Sequence, residues 1–184
     1  DAAAERDALI ASAGTHPFSR HEHQEVTERP RYQELAEDIR WVAERELIFG
    51  LHVHVGVDSP ETAIACTNGV RTFLPELLAL SANSPFWQAR PTGLASTRVK
   101  IFDMFPRSGL PPAFSSWAEY ERMVERGIAT NAFEDATFIW WDVRPHPKLG
   151  TVEVRMPDAQ TRLDSVRALV ALSQSLVAMV ADRH

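Results

Sequence analysis

Cysteine is nearly absent from this chain of 184 residues: Cys66 stands alone, so no internal disulfide is possible. A single unpaired thiol fits a reducing compartment, and a cytoplasmic location is expected. Cys66 lies in an apolar helical pattern, where a small core residue is the simpler reading than a nucleophile. An excess of positive charge is also missing. The formal net charge is −6, which argues against a broad nucleic-acid surface. No apolar run approaches the roughly 20 residues that span a bilayer, so no membrane partner is expected. Hydrophobic residues make up 45% and charged residues 24%, ordinary values for a globular chain with a real core. No repeat and no linker divides it, and one domain over residues 1–184 is expected.

What is present begins with Gly50-Leu51-His52-Val53-His54-Val55-Gly56-Val57. Strand side chains alternate with a period of two, so Leu51, Val53, Val55 and Val57 share one face while His52 and His54 share the other. Paired imidazoles flanked by glycines suit a metal or phosphate site; they equally suit a half-buried strand with two solvent-facing histidines.

Elsewhere the pattern predicts the following. Residues 1–13 read as a short helix closed by Gly14, and 19–29 as an exposed loop containing His21 and His23. Pro30 opens a helix with an apolar stripe of Leu35, Ile39, Val42 and Ala43. Asp58-Ser59-Pro60-Glu61 starts another, which Pro75 kinks or divides. Residues 88–114 are irregular, with a short helix between Leu94 and Phe105. Ser116-Trp117-Ala118-Glu119 forms a capping box for a helix closed by Gly127. Residues 138–144 and 151–156 form an antiparallel hairpin around a turn at 145–150. Val152, Val154 and Met156 face one side of it, Glu153 and Arg155 the other. Pro157 stops the strand, and Thr161-Arg162-Leu163-Asp164 starts the last helix.

Three strands thus share one grammar, apolar on one face and chemically loaded on the other: His52 and His54, Asp142 and Arg144, Glu153 and Arg155. On one sheet they would gather imidazoles, carboxylates and guanidinium groups, a set suited to phosphoryl chemistry. For Glu153 and Arg155 alone, cross-strand charge pairs on a solvated face account for the pattern as well.

The chain resembles the carboxylate–amine ligase family, also called the glutamate–cysteine ligase type 2 family. The matching segments are Gly14-Thr15-His16-Pro17-Phe18, Phe49 to Gly56, Leu77 to Trp87, Thr92-Gly93-Leu94-Ala95-Ser96 and Trp140 to Arg155. A more distant likeness is to glutamine synthetase, whose superfamily carries a Gly-x-His-x-His strand and a Glu-x-Arg-x-Pro-Asp strand end. Here these are Gly50-Leu51-His52-Val53-His54 and Glu153-Val154-Arg155-Met156-Pro157-Asp158.

The resemblance implies an α+β fold, with an antiparallel β-sheet backed by α-helices as part of a glutamine synthetase-like catalytic domain. It implies His52 and Glu153 as ligands of Mg²⁺ or Mn²⁺ and His54 near the phosphates of ATP. Arg155, and next Arg144, would serve the transferring phosphoryl group or substrate carboxylate; Arg98 and Asn83 are substrate-binding candidates. The implied reaction activates a glutamate side-chain carboxylate with ATP as an acyl phosphate, from which an amine such as that of cysteine displaces phosphate.

The family also opens with an acidic strand of the form Gly-x-Glu-Glu-Glu-Phe, for which this chain has no counterpart. The chain starts without Met, so the expectation is a catalytic domain cut at its N-terminus and at its C-terminus, weakly active or inactive by itself. Surface bared by such cuts could pair between copies as a homo-oligomer. Two other readings stand beside the ligase: a metal-dependent hydrolase using His52 and His54, with His146 as a third histidine, and a non-catalytic homologue that binds a nucleotide or amino acid.

Overall fold

A computed structural model describes residues 2–184, with backbone only at Arg31 and Leu35, so Asp1 and the Leu35 position of the expected stripe lie outside the described side chains. The helix expected over 1–13 does not form. Ala4–Arg6 makes one 3₁₀ turn, and Leu9 and Ile10 stay exposed. Two large apolar residues cannot bury a helical face, and short helices are marginal without one. The segment is instead pinned at Gly14, whose N–H donates to Asn83 O and whose carbonyl accepts from Phe49 N. Within 19–29, His21–His23 forms another 3₁₀ turn. His21 is buried rather than exposed, stacked on Trp87 with ring centroids 5.7 Å apart.

Helix α1 spans Pro30–Ile39 and ends at Arg40, which has a positive φ of 45°. Val42 and Ala43 of the expected stripe fall in the following 3₁₀ segment, Arg40–Arg45. Strand β1 is Val53–Gly56. Helix α2, Pro60–Val70, is capped by Ser59, whose hydroxyl accepts from Thr62 N. Pro75 divides the apolar run as expected: α3, Leu74–Ser81, carries it in the first turn after a 3₁₀ turn at Arg71–Phe73. A small hairpin follows, β2 Phe86–Trp87 and β3 Arg90–Pro91, then α4, Arg98–Phe102, inside the predicted window. Strand β4 is Ser108–Gly109.

Helix α5 spans Trp117–Ala129 with Ser116 as its cap. Gly127 lies inside this helix rather than closing it; a Cβ there would collide with the Phe133 ring, so the glycine serves close packing. The strand expected at 138–144 is broken in two. Strand β5, Trp140–Trp141, pairs in parallel with β4, and β6 is Val143–His146. Pro145 and His146 therefore belong to a strand, not to the turn. Proline is tolerated there because β6 lies at the sheet edge. Strand β7 is Thr151–Val154 and α6 is Leu163–Ala181. Thr161 does not cap α6; its hydroxyl donates to Ser12 O.

The three-stranded sheet has the order β1-β7-β6, antiparallel throughout. Its apolar face, built on Val53, Val143, Val152 and Val154, packs with Cys66, Val70, Leu74 and Leu77 on α2 and α3 and with Val177 on α6. Each such fully buried side chain contributes about 1.5–3 kcal/mol. The result is the expected α+β arrangement of an antiparallel sheet backed by helices. A second cluster joins Ile64, Phe114, Tyr120, Ile139 and Trp141. Helix α6 corrects the reading of apolar runs: by length and composition it is long enough to cross a membrane. In this fold it presents Leu169, Ser173 and Val177 to the core beside α2 and β1.

Candidate active site

Strand alternation places the loaded residues on the opposite face of the sheet, and the register aligns them in rows. His54 on β1 lies opposite Glu153 on β7, which lies opposite Arg144 on β6. One residue further along, the same register sets Arg155 between His52 and Asp142; Asp142 O accepts from Arg155 N at 2.7 Å and from Met156 N at 3.1 Å. Two successive N–H groups on one carbonyl form a bulge that ends the ladder.

Glu153 is the hub. It is 2% exposed and has a guanidinium on each oxygen: Arg144 Nε donates to Oε2 at 2.7 Å and Arg155 Nη1 to Oε1 at 2.7 Å. His52 Nδ1 lies 3.2 Å and His54 Nε2 3.6 Å from Oε1. Burial pushes the Glu153 carboxyl up, but His52, Arg155 and Arg144 outweigh it and hold the group well below the usual range. Burial, together with Arg155, lowers the pKa of His52 despite its contact with Glu153, favouring the neutral imidazole. His54 Nδ1 shares a 2.9 Å hydrogen bond with Thr151 Oγ1, and its ring meets that of His146 at 5.4 Å. The side chains of His52 and His54 are 36% and 33% exposed, so the imidazoles form the open edge of the cluster.

Arg144 also reaches away from the sheet: Nη1 donates to Thr137 O at 2.9 Å and to Ile139 O. Arg98 stands behind Arg155. Its Nη1 and Nη2 donate to Met156 O and Arg155 O at 3.0 and 3.1 Å, and Asp158 lies 3.8 Å away. Gly50 makes room for it, since a Cβ there would sit 2.5 Å from Arg98 Nη2 and 3.1 Å from His52 Nε2. Asn83 is held apart from the Glu153 cluster. Its Nδ2 donates to Ala159 O at 2.8 Å and to Thr161 Oγ1 at 3.1 Å, while its N–H donates to the fully buried Asp158.

The structure therefore gathers His52, His54, Arg144, Glu153 and Arg155, adjoins Arg98 to them, and places Asn83 in the support around Asp158. Sequence reasoning put Asp142 on the loaded face beside Arg144 but gave it no role, and Thr151 and Phe102 carried no signal that marked them for the site. Among the described residues, no group of three or more His, Cys, Asp or Glu side chains is set to hold a metal ion. Both oxygens of Glu153 are already taken by guanidinium groups, whereas Mg²⁺ and Mn²⁺ seek several free oxygen ligands. His52 and one shared carboxylate would supply only part of such a cation's ligand set. Beyond Arg144 lies a mostly apolar cleft of about 260 Å³, lined among others by Trp117, Tyr120, Pro145, His146 and Lys148.

Known proteins share this chain's sequence across its length. A family model for glutamate–cysteine ligase family 2 matches residues 1–184. A protein of Rubrobacter xylanophilus, provisionally named glutamate–cysteine ligase 2-1, is 56% identical over 171 residues, 93% of this chain and 46% of that protein. One from Solibacter usitatus, provisionally named glutamate–cysteine ligase 2, is 48% identical over 182 residues, 99% of this chain and 47% of its own length. Another with that provisional name, from Sorangium cellulosum, is 52% identical over 168 residues, covering 91% and 45%. The chain spans about half the length of these curated relatives. The sheet, its loaded face and these matches agree: the chain belongs to glutamate–cysteine ligase family 2.

Proposed function

We propose that this chain provides one wall of the site of an ATP-dependent carboxylate–amine ligase. In this reading ATP phosphorylates the side-chain carboxylate of glutamate, and an amine such as that of cysteine displaces phosphate to form an amide. The observation that carries it is the clamp on Glu153. Two guanidinium groups are locked in place by one buried carboxylate, with two imidazoles at the open edge. Catalysis of phosphoryl transfer rests mainly on positioning and on fixed charge, and such donors stabilise most when they need no reorganisation. Arg155 faces the exchange, and Arg144 fixes Glu153 from behind. His52 and His54 are the groups nearest solvent that can meet phosphate oxygens. The cleft beyond Arg144, walled by Trp117 and Tyr120, suits a flat heterocycle such as the base of the nucleotide.

Mg²⁺ or Mn²⁺ belongs to the proposal as the partner of ATP, without His52 and Glu153 assigned as its ligands. The relatives are about twice as long as this chain, so the 184 residues alone are expected to be weakly active or inactive. A cytoplasmic location and small-molecule partners complete the reading. Its test is isotopic. Glutamate labelled with oxygen-18 in its side-chain carboxylate is given to the full-length protein carrying this sequence, with ATP and cysteine. Transfer of one labelled oxygen to the released phosphate supports an acyl phosphate. Product formed without that transfer contradicts the acyl phosphate, and absence of amide product contradicts the ligase.

A further inference from the structure

Asp142 differs from the other buried acids of this fold. Glu153 and Asp158 are each held by several donors. Asp142 is only 6% exposed, yet its carboxylate makes no hydrogen bond or ion pair with any described residue. It ends the row His52–Arg155–Asp142 on the polar face, and Arg98 and Arg155 act on it electrostatically from beyond contact distance. Those two arginines carry the complementary defect. Arg98 Nε and Arg155 Nε are buried without an acceptor. Their guanidinium carbons lie 5.7 and 5.9 Å from the ring of Phe102, which packs both beside the same spot. Buried polar groups are nearly always satisfied, so two buried N–H donors without an acceptor, beside a carboxylate that no described side chain holds, describe an incomplete set. One kind of ligand completes it: an ammonium for the carboxylate and a carboxylate for the guanidinium N–H groups.

We propose that Asp142 seats the ammonium of an α-amino acid whose carboxylate meets the Nε–H groups of Arg155 and Arg98. This deepens the ligase reading and rests on it for one point, that the amino acid seated here is the incoming amine. Before attack that ammonium must lose a proton, and Asp142 is the acceptor within reach. Burial, reinforced by Asp103, raises its pKa to about 6, which makes it a better base than an ordinary carboxylate. The freed nitrogen bonds to the acyl carbon and the carbon–oxygen bond to phosphate breaks. Phosphate leaves with the electron pair and takes up the second nitrogen-bound proton.

The test uses the full-length protein with L-cysteine and with 3-mercaptopropionate, which keeps the thiol and carboxylate but lacks the ammonium. Wild type should bind cysteine at least about tenfold more tightly by calorimetry, and Asp142→Asn should abolish that preference. In turnover, Asp142→Asn should raise KM for cysteine by about tenfold or more, with smaller effects on glutamate and ATP, and Asp142→Glu should recover part of the loss. A folded, active Asp142→Asn with unchanged cysteine KM and preference overturns the assignment. So does a titration with Mg²⁺ alone in which the variant loses cation binding and keeps its cysteine preference. If wild type discriminates between the two probes through Asp142 but never forms an amide, the ligase reading fails and the ammonium seat stands.

Discussion

Arg144 and Glu153 face each other directly across β6 and β7, and Arg144 Nε donates to Glu153 Oε2 at 2.7 Å. The same guanidinium donates through Nη1 to the carbonyls of Thr137 and Ile139. One planar fork therefore ties the sheet to the segment entering β5. Lysine keeps the charge but not the fork. Arg144→Lys should lose about 3 kcal/mol in urea unfolding, the scale of a broken buried ion pair. A loss well under 1 kcal/mol would mean that the clamp contributes little.

The depressed pKa of Glu153 has a definite signature against pH. The unfolded chain takes up a proton there near the ordinary glutamate value of 4.5, while the folded state resists. Its stabilisation is full above that value and is lost as pH falls below it. Glu153→Gln should flatten the acid limb of a stability–pH curve. A variant with the wild-type slope below 4.5 would contradict the assignment.

Asp142 acts with the opposite sign. Its pKa is raised from 3.8 to about 6, so within that window the folded state holds more protons than the unfolded state. Stability falls as pH rises through the window, and the full penalty persists at pH 7. Asp142→Asn should therefore be more stable than wild type at pH 7, by on the order of 2 kcal/mol in chemical denaturation. A destabilised variant would show a native partner for this carboxylate.

Packing at Gly127 is open to a similar test. Alanine favours a helix over glycine by about 1 kcal/mol. Its methyl group would nevertheless collide with Phe133, and overpacking costs about 1–3 kcal/mol. Gly127→Ala should lower the melting temperature, and Phe133→Leu added to it should restore much of the loss. A stabilised single variant would refute the packing role.

Much of the site was legible because strand alternation is local. Leu51 to Val57 and Val152 to Met156 separate apolar from loaded side chains without any long-range information. The rows were not legible, since His54 meets Glu153 through a pairing that joins distant parts of the chain. Pro145 marked a turn by local rules, and only its edge position allows it to remain in a strand. The helix expected over 1–13 failed for want of a face to bury, and Gly127 and Thr161 misled because their partners, Phe133 and Ser12, are set by tertiary packing. Arg98 was noticed for its loop setting, but its two backbone carbonyl acceptors at 155 and 156 could not be foreseen.

If the face around Glu153 performs ligation, its two imidazoles are the side chains whose loss should show it first. They lie at the open edge, so the fold should tolerate their replacement better than that of the buried arginines. The measurement is cysteine- and glutamate-dependent ADP release by the full-length protein carrying His52→Gln and His54→Gln together. A fall of about 100-fold or more, the scale of losing a preorganised donor, is predicted, with the thermal transition retained. Wild-type turnover in the double variant would contradict the account.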